Sequence, residues 1–294
     1  MLSVTGRVIP PAHRAYDAAL LLAFIGSALL FLVPQFFFIR QSLLANIAPG
    51  IVGDTMSLDN YRTIIADSFY LGVFLRTIVL SAVSVAFGLL LAFPTAYLLA
   101  RIGSRLVRWL IVLLLISSFV SVVVKVLGLT LLLGTDGPVV RVLRALSLGF
   151  WDVRLLHNDA SVAIGLVQYT LPLMVMILFG VIQNVPASLE EAAIVHGASD
   201  WRAFRRVLLP MLWPGTLAAA LISFNMNMGA FTSAVLLGGG RVLTVPIMIQ
   251  RKIILETDYP NAAALSLLLT LTVILVNIAA LKLRPHAVMS ARGG

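Results

Sequence analysis

Six long runs of apolar residues constrain the fold of this chain more than any other feature. About 20 apolar residues are enough for a helix to cross the hydrocarbon core of a bilayer. The runs do not alternate with the two-residue period of a barrel strand, so each is predicted to be a helix. The sequence therefore predicts an all-α integral membrane protein with six transmembrane helices. They are roughly Ala15–Ile39, Gly72–Ala100, Trp109–Gly134, Ser161–Gln183, Trp213–Gly238 and Asn261–Leu281.

The composition supports a membrane protein. Of 294 residues, 60% are hydrophobic and 11% are charged, whereas a soluble domain averages about 25% charged residues. The net charge of +9 would indicate nucleic acid as the partner of a soluble protein, but here the bilayer is the expected partner and nucleic acid is not. The first run, 15–39, is longer than the apolar core of a signal peptide, so we expect a retained span. The chain has no cysteine, which excludes disulfides and thiolate metal sites.

The distribution of basic residues predicts the orientation. With the N-terminus in the cytoplasm, the cytoplasmic segments hold eleven Lys and Arg residues and three acids, apart from Asp17 at the border. The other side holds eight basic residues and eight acids. By the positive-inside rule, both termini are predicted to be cytoplasmic, as tails 1–14 and 283–294. The outer segments Arg40–Leu71 and Thr135–Ala160 are expected to contain short amphipathic helices, and Arg76 is expected to snorkel.

A charged stretch, SLEEAAIVHGASDWRAFRRVLLP, lies between the fourth and fifth runs and forms what we call the elbow, residues 188–210. Ser188 and Glu191 have the spacing of a capping box that starts a first helix. Gly197 is a typical C-terminal cap, Ser199 and Asp200 can begin a second helix over 201–208, and Pro210 is expected to break or kink the chain. The elbow could simply close the loop at the membrane surface. However, the small residues at Ala192, Ala193 and Gly197 favour close approach to another protein.

Residues 191–210, EAAIVHGASDWRAFRRVLLP, match the cytoplasmic EAA signature of permease subunits of bacterial ABC importers. Every fixed position of the signature is filled, with Val207 where isoleucine is usual. The resemblance extends over a core of about residues 70–282 and implies the type I ABC importer permease fold. It also implies that the loop 184–212 docks on a cytoplasmic ATP-binding subunit. The residues expected to take part in coupling are Glu190, Glu191, Ala192, Ala193, His196, Gly197, Ala198, Ser199, Trp201 and Arg202.

Residues 229–270 resemble the spermidine/putrescine-type branch, including Leu236 to Gly239 and Asp258-Tyr259-Pro260. The branch also contains importers of ferric iron, thiamine, phosphonates and opines, so the resemblance implies a small polar solute and favours a polyamine. It further implies two ATP-binding subunits that hold ATP and magnesium, a second related permease chain in a heterodimer, and an extracytoplasmic solute-binding protein. The implied location is the bacterial inner membrane.

Polar residues inside membrane spans are costly and often face a cavity or a partner. Nine residues are therefore candidates for a translocation path, although hydrogen bonds that pack neighbouring helices are an equally open explanation. If Lys125 faces the path, it would repel a polyamine and attract a carboxylate or phosphonate. The candidates are Ser121, Lys125, Gln168, Tyr169, Ser223, Asn225, Asn227, Phe231 and Thr232.

Other function classes find little support in the sequence. The four histidines are scattered, and neither HExxH nor a serine elbow is present, so no catalytic residue or metal ligand is predicted. A Walker A loop is also lacking, and we therefore expect this chain to hold no cofactor and a partner to hydrolyse ATP. Two alternatives stay open: an intramembrane serine–lysine enzyme using Ser121 and Lys125, and a passive channel, in which the elbow would have no purpose.

Overall fold

The computed structural model describes residues 12–146 and 155–282. This part of the chain is a bundle of helices with one two-stranded hairpin. In chain order the elements are α1 (Ala12–Ser42), β1 (Leu44–Ala48), β2 (Ile51–Met56), α2 (Asp59–Ala66), α3 (Ser68–Arg101), α4 (Arg105–Phe119), α5 (Val122–Leu133), α6 (Pro138–Leu146), α7 (Asp159–Gln183), α8 (Ser188–Val195), α9 (Asp200–Ala203), a π-helical turn (Phe204–Leu208), α10 (Leu209–Met228), α11 (Thr232–Gly238), α12 (Val245–Ile254) and α13 (Tyr259–Lys282).

The described residues contain six helical segments that are long and apolar enough to cross a membrane. This confirms the predicted class, an all-α membrane protein with six spans. Residues 1–11 of the predicted N-terminal tail and the whole tail 283–294 lie outside the described residues. The six segments are Ala19–Ser42, Ser68–Arg101, Val122–Leu146, Asp159–Gln183, Asp200–Met228 and Tyr259–Lys282.

The centre of the bundle is the pair α3 and α7, with α10 packed against both. Small residues allow the close approach: Ala92 and Ala96 of α3 are fully buried, and a Cβ added at Gly88 would lie 3.3 Å from the side chain of Met174. Close packing between small residues is a principal attraction between helices in lipid, because lipid tails remove the hydrophobic driving force. The α3–α7 pair is therefore the rigid axis of the fold.

Two predicted spans are not single helices. The predicted third span, 109–134, is divided: α4 ends at Phe119, Val120 is extended, and α5 begins at Val122 after Ser121. The predicted fifth span, 213–238, is divided at Gly229 to Phe231, between α10 and α11. Apolar composition is the same in one long helix and in two short ones, so hydropathy did not reveal either break.

Hydroxyl groups of α7 and α3 bond to backbone groups in the two short helices that follow the second break, α11 and α12. Ser161 donates a hydrogen bond of 3.0 Å to the carbonyl of Leu237, near the end of α11. The hydroxyl of Thr77 accepts 3.0 Å from the amide of Val245, at the start of α12. Backbone groups inside a membrane must find partners within the protein. The broken segment is thus held by hydroxyl groups on α3 and α7.

The segment after the first span contains a β-hairpin as well as the short helix α2. The helix is the kind of element that was expected over 40–71, whereas the hairpin was not predicted. Pro49 and Gly50, which has a φ of +78°, make the tight turn between β1 and β2. The side chain of Asn60, on α2, donates 2.9 and 2.8 Å to the carbonyls of Ser42 and Leu44. The hairpin is consequently anchored to α1 and α2. The amphipathic helix expected within 135–160 corresponds to α6, although the third candidate span, Val122–Leu146, also includes this helix.

Arg76 forms a bidentate ion pair with Asp159, a partner that the sequence had not indicated. Its Nε and Nη2 donate 2.8 and 2.9 Å to the two carboxylate oxygens. Because Asp159 opens α7, this pair joins the starts of α3 and α7.

Candidate functional site

The elbow is a short helix, a tight turn and the beginning of a long helix. α8 ends in a Schellman motif, in which the amide of Gly197 donates 2.9 Å to the carbonyl of Ile194 and the amide of Ala198 donates 3.0 Å to that of Ala193. Gly197 has a φ of +84°, a conformation that costs other residues conformational energy. The prediction that Gly197 caps the first helix is confirmed.

The predicted capping box is wrong, and of the two outcomes expected at Pro210, a break does not occur. Ser188 is already the first helical residue of α8, its N-cap is Ala187, and no side chain caps this end, so there is no capping box. Pro210 does not break the chain, because the helix continues from Asp200 to Met228. A π-helical turn immediately before it, with the amide of Leu209 bonded to the carbonyl of Phe204, accommodates the proline.

The first helix of the elbow lies on the surface. Glu190 and Ala193 are half-buried, and every other residue of α8 is exposed. Val195 is 83% exposed, and Trp201, just after the turn, is 66% exposed. Glu191, His196 and Arg202 are exposed beside them. The elbow therefore presents a continuous surface of apolar and charged side chains.

Glu190 differs from the rest of α8 because it faces the bundle. One carboxylate oxygen accepts 2.8 Å from the hydroxyl of Tyr97, and the other accepts from Arg101. The side chains of Arg101 and Glu190 are only 18% and 15% exposed. A second nitrogen of Arg101 donates 3.0 Å to the carbonyl of Val185, just before the elbow. The sequence placed Glu190 with the coupling residues but did not indicate these partners.

An aromatic cluster attaches the second half of the elbow to the same helix. Phe204 stacks on Trp201 at 5.5 Å between ring centroids. Its ring also makes edge contacts with Phe93 at 5.6 Å and Tyr97 at 6.1 Å, both on α3. Both halves of the elbow thus contact the last turns of α3.

Several candidates for the translocation path are buried polar groups without partners. Ser223 and Asn227, on α10, are 0% and 3% exposed. Neither the Ser223 hydroxyl, the Asn227 amide nor the side-chain oxygen of Gln168 has a hydrogen-bond partner among the described residues. A buried polar group without a hydrogen bond is costly. The side chains of these three residues therefore have hydrogen-bonding capacity that the single chain leaves unused.

Asn225 pairs with Asn277, a residue of α13 that the sequence had not singled out. Their amides exchange hydrogen bonds of 3.0 and 3.4 Å, and Asn225 is exposed. The signal available in the sequence was a lone asparagine within the last apolar run. The pair places an amide cluster on the surface between α10 and α13.

The remaining path candidates are separate from this pair. Ser121 is exposed at the break between α4 and α5, and Lys125 is half-buried one turn later. In residues 12–146 and 155–282, no hydrogen bond or ion pair reaches the Lys125 ammonium group, and no side-chain hydrogen bond joins any two of the nine candidates. Tyr169, Phe231 and Thr232 are half-buried.

The Asp258-Tyr259-Pro260 motif has a structural role. Asp258 is buried and accepts 2.7 Å from the side chain of Asn261, in the first turn of α13. Lys252 lies 2.6 Å from Glu256 and 3.6 Å from Asp258. Burial by itself would lower the pKa of Lys252, but the hydrogen bond to Glu256 and nearby Tyr70, Glu256 and Asp258 raise it above its ordinary value. The ammonium group therefore stays charged and joins α12 to α13.

The described residues thus form a six-span bundle in which two predicted spans are broken and a charged elbow is exposed. Residues 84–285 match the family described as "Binding-protein-dependent transport system inner membrane component". The chain belongs to this family: it is a multi-pass permease subunit of an ABC importer and not an enzyme.

Individual proteins agree with this assignment. The chain is 30% identical over 253 residues to the spermidine/putrescine transport system permease protein PotB of Escherichia coli (strain K12), covering 86% of this chain and 92% of that protein. It is 31% identical over 201 residues to the molybdenum transport system permease protein ModB of Mycobacterium bovis (strain ATCC BAA-935 / AF2122/97), covering 67% and 73%.

The fold agrees as well. A chain in the crystal structure of a bacterial alginate ABC transporter, in complex with an alginate pentasaccharide-bound periplasmic protein, superposes with a TM-score of 0.74. The match covers 94% of this chain and 96% of that chain at 19% identity. It confirms the predicted ABC importer permease fold.

Proposed function

We propose that the elbow is the surface on which a cytoplasmic ATP-binding subunit docks, so that ATP-driven motion enters the membrane there. The observation that carries this proposal is the exposure of the elbow: α8, which ends in a Schellman motif, leaves Val195 uncovered, and Trp201 is uncovered just after the turn. A surface helix without a partner normally buries its apolar residues. The outward residues Glu191, Ala192, His196 and Arg202 complete the proposed contact.

The proposal includes an assembly and an orientation. Both termini and the elbow would be cytoplasmic, as the basic residues favour. Two ATP-binding subunits would supply ATP and magnesium, an extracytoplasmic binding protein would deliver solute, and a second, related permease would complete the pore in the bacterial inner membrane. The family's description as a binding-protein-dependent inner membrane component supports this arrangement.

The proposed solute is a polyamine or a similar small polar cation. The similarity to PotB along most of both chains supports this class. The amides of Asn225 and Asn277, with Ser223 and Asn227 nearby in sequence, would line part of the path. Amide oxygens accept hydrogen bonds from ammonium groups without bringing a fixed charge, so such a path could bind a cation weakly enough to release it.

An anionic solute is the second candidate, and Lys125 is the observation that favours it. Its ammonium group has no partner in the described part of the chain, although it lies within an apolar helix. Placed toward the path, it would attract a carboxylate or oxyanion and repel a polyamine. The similarity to ModB, at comparable identity over less of the chain, is compatible with this class.

Affinity purification of the tagged chain from its native membrane, followed by mass spectrometry, tests the assembly. The expected result is an ATP-binding subunit with a Walker A loop, together with a second permease. Recovery of the chain alone under conditions that keep other ABC importers intact would contradict the docking role of the elbow.

Uptake of radiolabelled spermidine and molybdate by cells expressing the complete transporter then separates the two solute classes. Saturable, ATP-dependent spermidine uptake that survives Lys125→Met supports a polyamine. Molybdate uptake that is lost in Lys125→Met supports an anion instead.

A further inference from the structure

Glu190 is part of the elbow in the sequence, but its side chain contacts the helix bundle. Its neighbours on α8 are exposed, whereas its carboxylate receives hydrogen bonds from Tyr97 and Arg101. Two of the roughly four acceptor sites of the carboxylate are occupied, and the side chain is only 15% exposed, so little of it is accessible to a protein outside the bundle. Glu190 is therefore positioned to hold α8 and not to contact an ATP-binding subunit.

The partners of the elbow form one stripe on α3. Phe93, Tyr97 and Arg101 are spaced four residues apart, which places them along one face of the helix. Arg101 reaches both Glu190 and the carbonyl of Val185, while the two aromatic residues contact Phe204. Tyr97 takes part in both sets, since its hydroxyl bonds to Glu190 and its ring packs on Phe204.

α3 leads from this stripe directly into the centre of the bundle. It packs along α7 more extensively than any other pair of elements does within the described residues, and it also packs on α10. A displacement of the elbow that is transferred to the end of α3 would therefore move the rigid axis of the fold. A hydrogen bond between charged groups is roughly twice as strong as a neutral one and has a defined geometry, which suits the Arg101–Glu190 contact to this transfer.

We propose that Tyr97, Arg101 and Glu190 form a joint that transmits movement of the elbow to α3. The three are positioning residues: they contact neither solute nor nucleotide. This inference rests on the proposed docking of an ATP-binding subunit at the elbow. It identifies the first contact through which movement of the elbow would pass into the membrane subunit.

The test measures ATP-driven movement without requiring the solute. Because the chain has no cysteine, spin labels can be attached at Leu90→Cys on α3 and Leu271→Cys on α13, whose side chains are 69% and 50% exposed. Electron–electron distance measurements on the purified complex, with and without magnesium ATP and vanadate, then report the movement of α3. The same samples show by gel whether the ATP-binding subunit is retained.

In this background, Glu190→Gln and Arg101→Gln are each expected to retain the ATP-binding subunit. The fraction of molecules that shifts with ATP should fall by about fivefold or more, the lower range of coupling between distant sites. The exchanged pair Arg101→Glu with Glu190→Arg should regain much of the shift. Arg105→Gln is the matched control, since Arg105 is exposed, and it should behave like the unsubstituted chain.

The outcomes separate the joint from the docking proposal. An unaltered ATP-driven shift in Glu190→Gln and Arg101→Gln would overturn the joint, as would loss of the ATP-binding subunit in Glu190→Gln alone, which would make Glu190 a docking contact. Absence of the ATP-binding subunit from the unsubstituted complex would instead refute the proposed function. If the charge variants fail to accumulate, Tyr97→Phe tests the joint instead, because it removes the hydrogen bond to Glu190 and keeps the ring. A reduced ATP-driven shift in this variant supports the joint, and a full shift overturns it.

Discussion

Substitutions at Gly197 test the role of the elbow, because the effect of its backbone conformation can be distinguished from the effect of the space around it. Its φ of +84° disfavours residues with a Cβ, and a Cβ added there would meet no atom within 4 Å among the described residues. Replacing Gly197 by valine would therefore cost about 1–2 kcal/mol of backbone conformational energy without a steric clash inside the chain. That energy corresponds to about a 5- to 30-fold lower ratio of native to non-native elbow.

The expected result is a local defect. Gly197→Val should reduce the amount of ATP-binding subunit that co-elutes in size-exclusion chromatography, whereas the thermal unfolding midpoint of the permease should change little, because α8 lies on the surface. Gly197→Asn should bind nearly as well as glycine, since asparagine tolerates the left-handed conformation. Gly103→Val is the matched control, at another exposed glycine with open surroundings and without a positive φ.

Normal co-elution of Gly197→Val would refute the reasoning, because the left-handed turn would then be unnecessary for docking. Equal loss in Gly197→Asn and Gly197→Val would show that the space around the glycine, inside the partner's groove, matters and that its φ does not.

Two further predictions concern the bundle. Gly215→Ala should lower the free energy of unfolding by about 1–3 kcal/mol relative to the control Gly128→Ala. A Cβ at Gly215 would lie 2.5 Å from the γ-carbons of Val181, whereas one at Gly128 would meet nothing within 4 Å. Denaturant unfolding in detergent measures both variants, and equal values would contradict the close contact. Arg76→Gln should cost about 0.2–1 kcal/mol, since the ion pair with Asp159 is well exposed, and the difference from the unsubstituted chain should disappear in about 1 M salt if it is electrostatic.

Much of the architecture was predictable because it depends on local composition. Membrane spans follow from the length of apolar runs, and the turn of the elbow follows from one glycine at the end of a short helix. The breaks in the third and fifth predicted spans were missed. At Ser121 and at Gly229 to Phe231, the apolar composition is compatible with a continuous helix. In the structure, the short helices α5 and α11 instead pack on each other and on α7.

Local rules also failed where a tertiary contact was stronger. Ser188 and Glu191 had the spacing of a capping box, but the helix begins one residue earlier than that motif requires. Glu190, immediately beside them, is held by Arg101 and Tyr97 of α3. A charge-assisted hydrogen bond shielded from water is about twice as strong as a neutral one, so this contact helps to set where α8 begins.

The sequence by itself determined that this chain is a six-span membrane protein of the ABC importer permease family with an exposed elbow between its fourth and fifth spans. The length of an apolar run and a local motif depend only on residues that are close in sequence, so both can be recognised without knowledge of the fold. Only the tertiary structure decided which polar groups meet: Arg101 with Glu190, Arg76 with Asp159, and Asn225 with Asn277. These partners are 89, 83 and 52 residues apart, and a pairing over such distances depends on how whole helices pack.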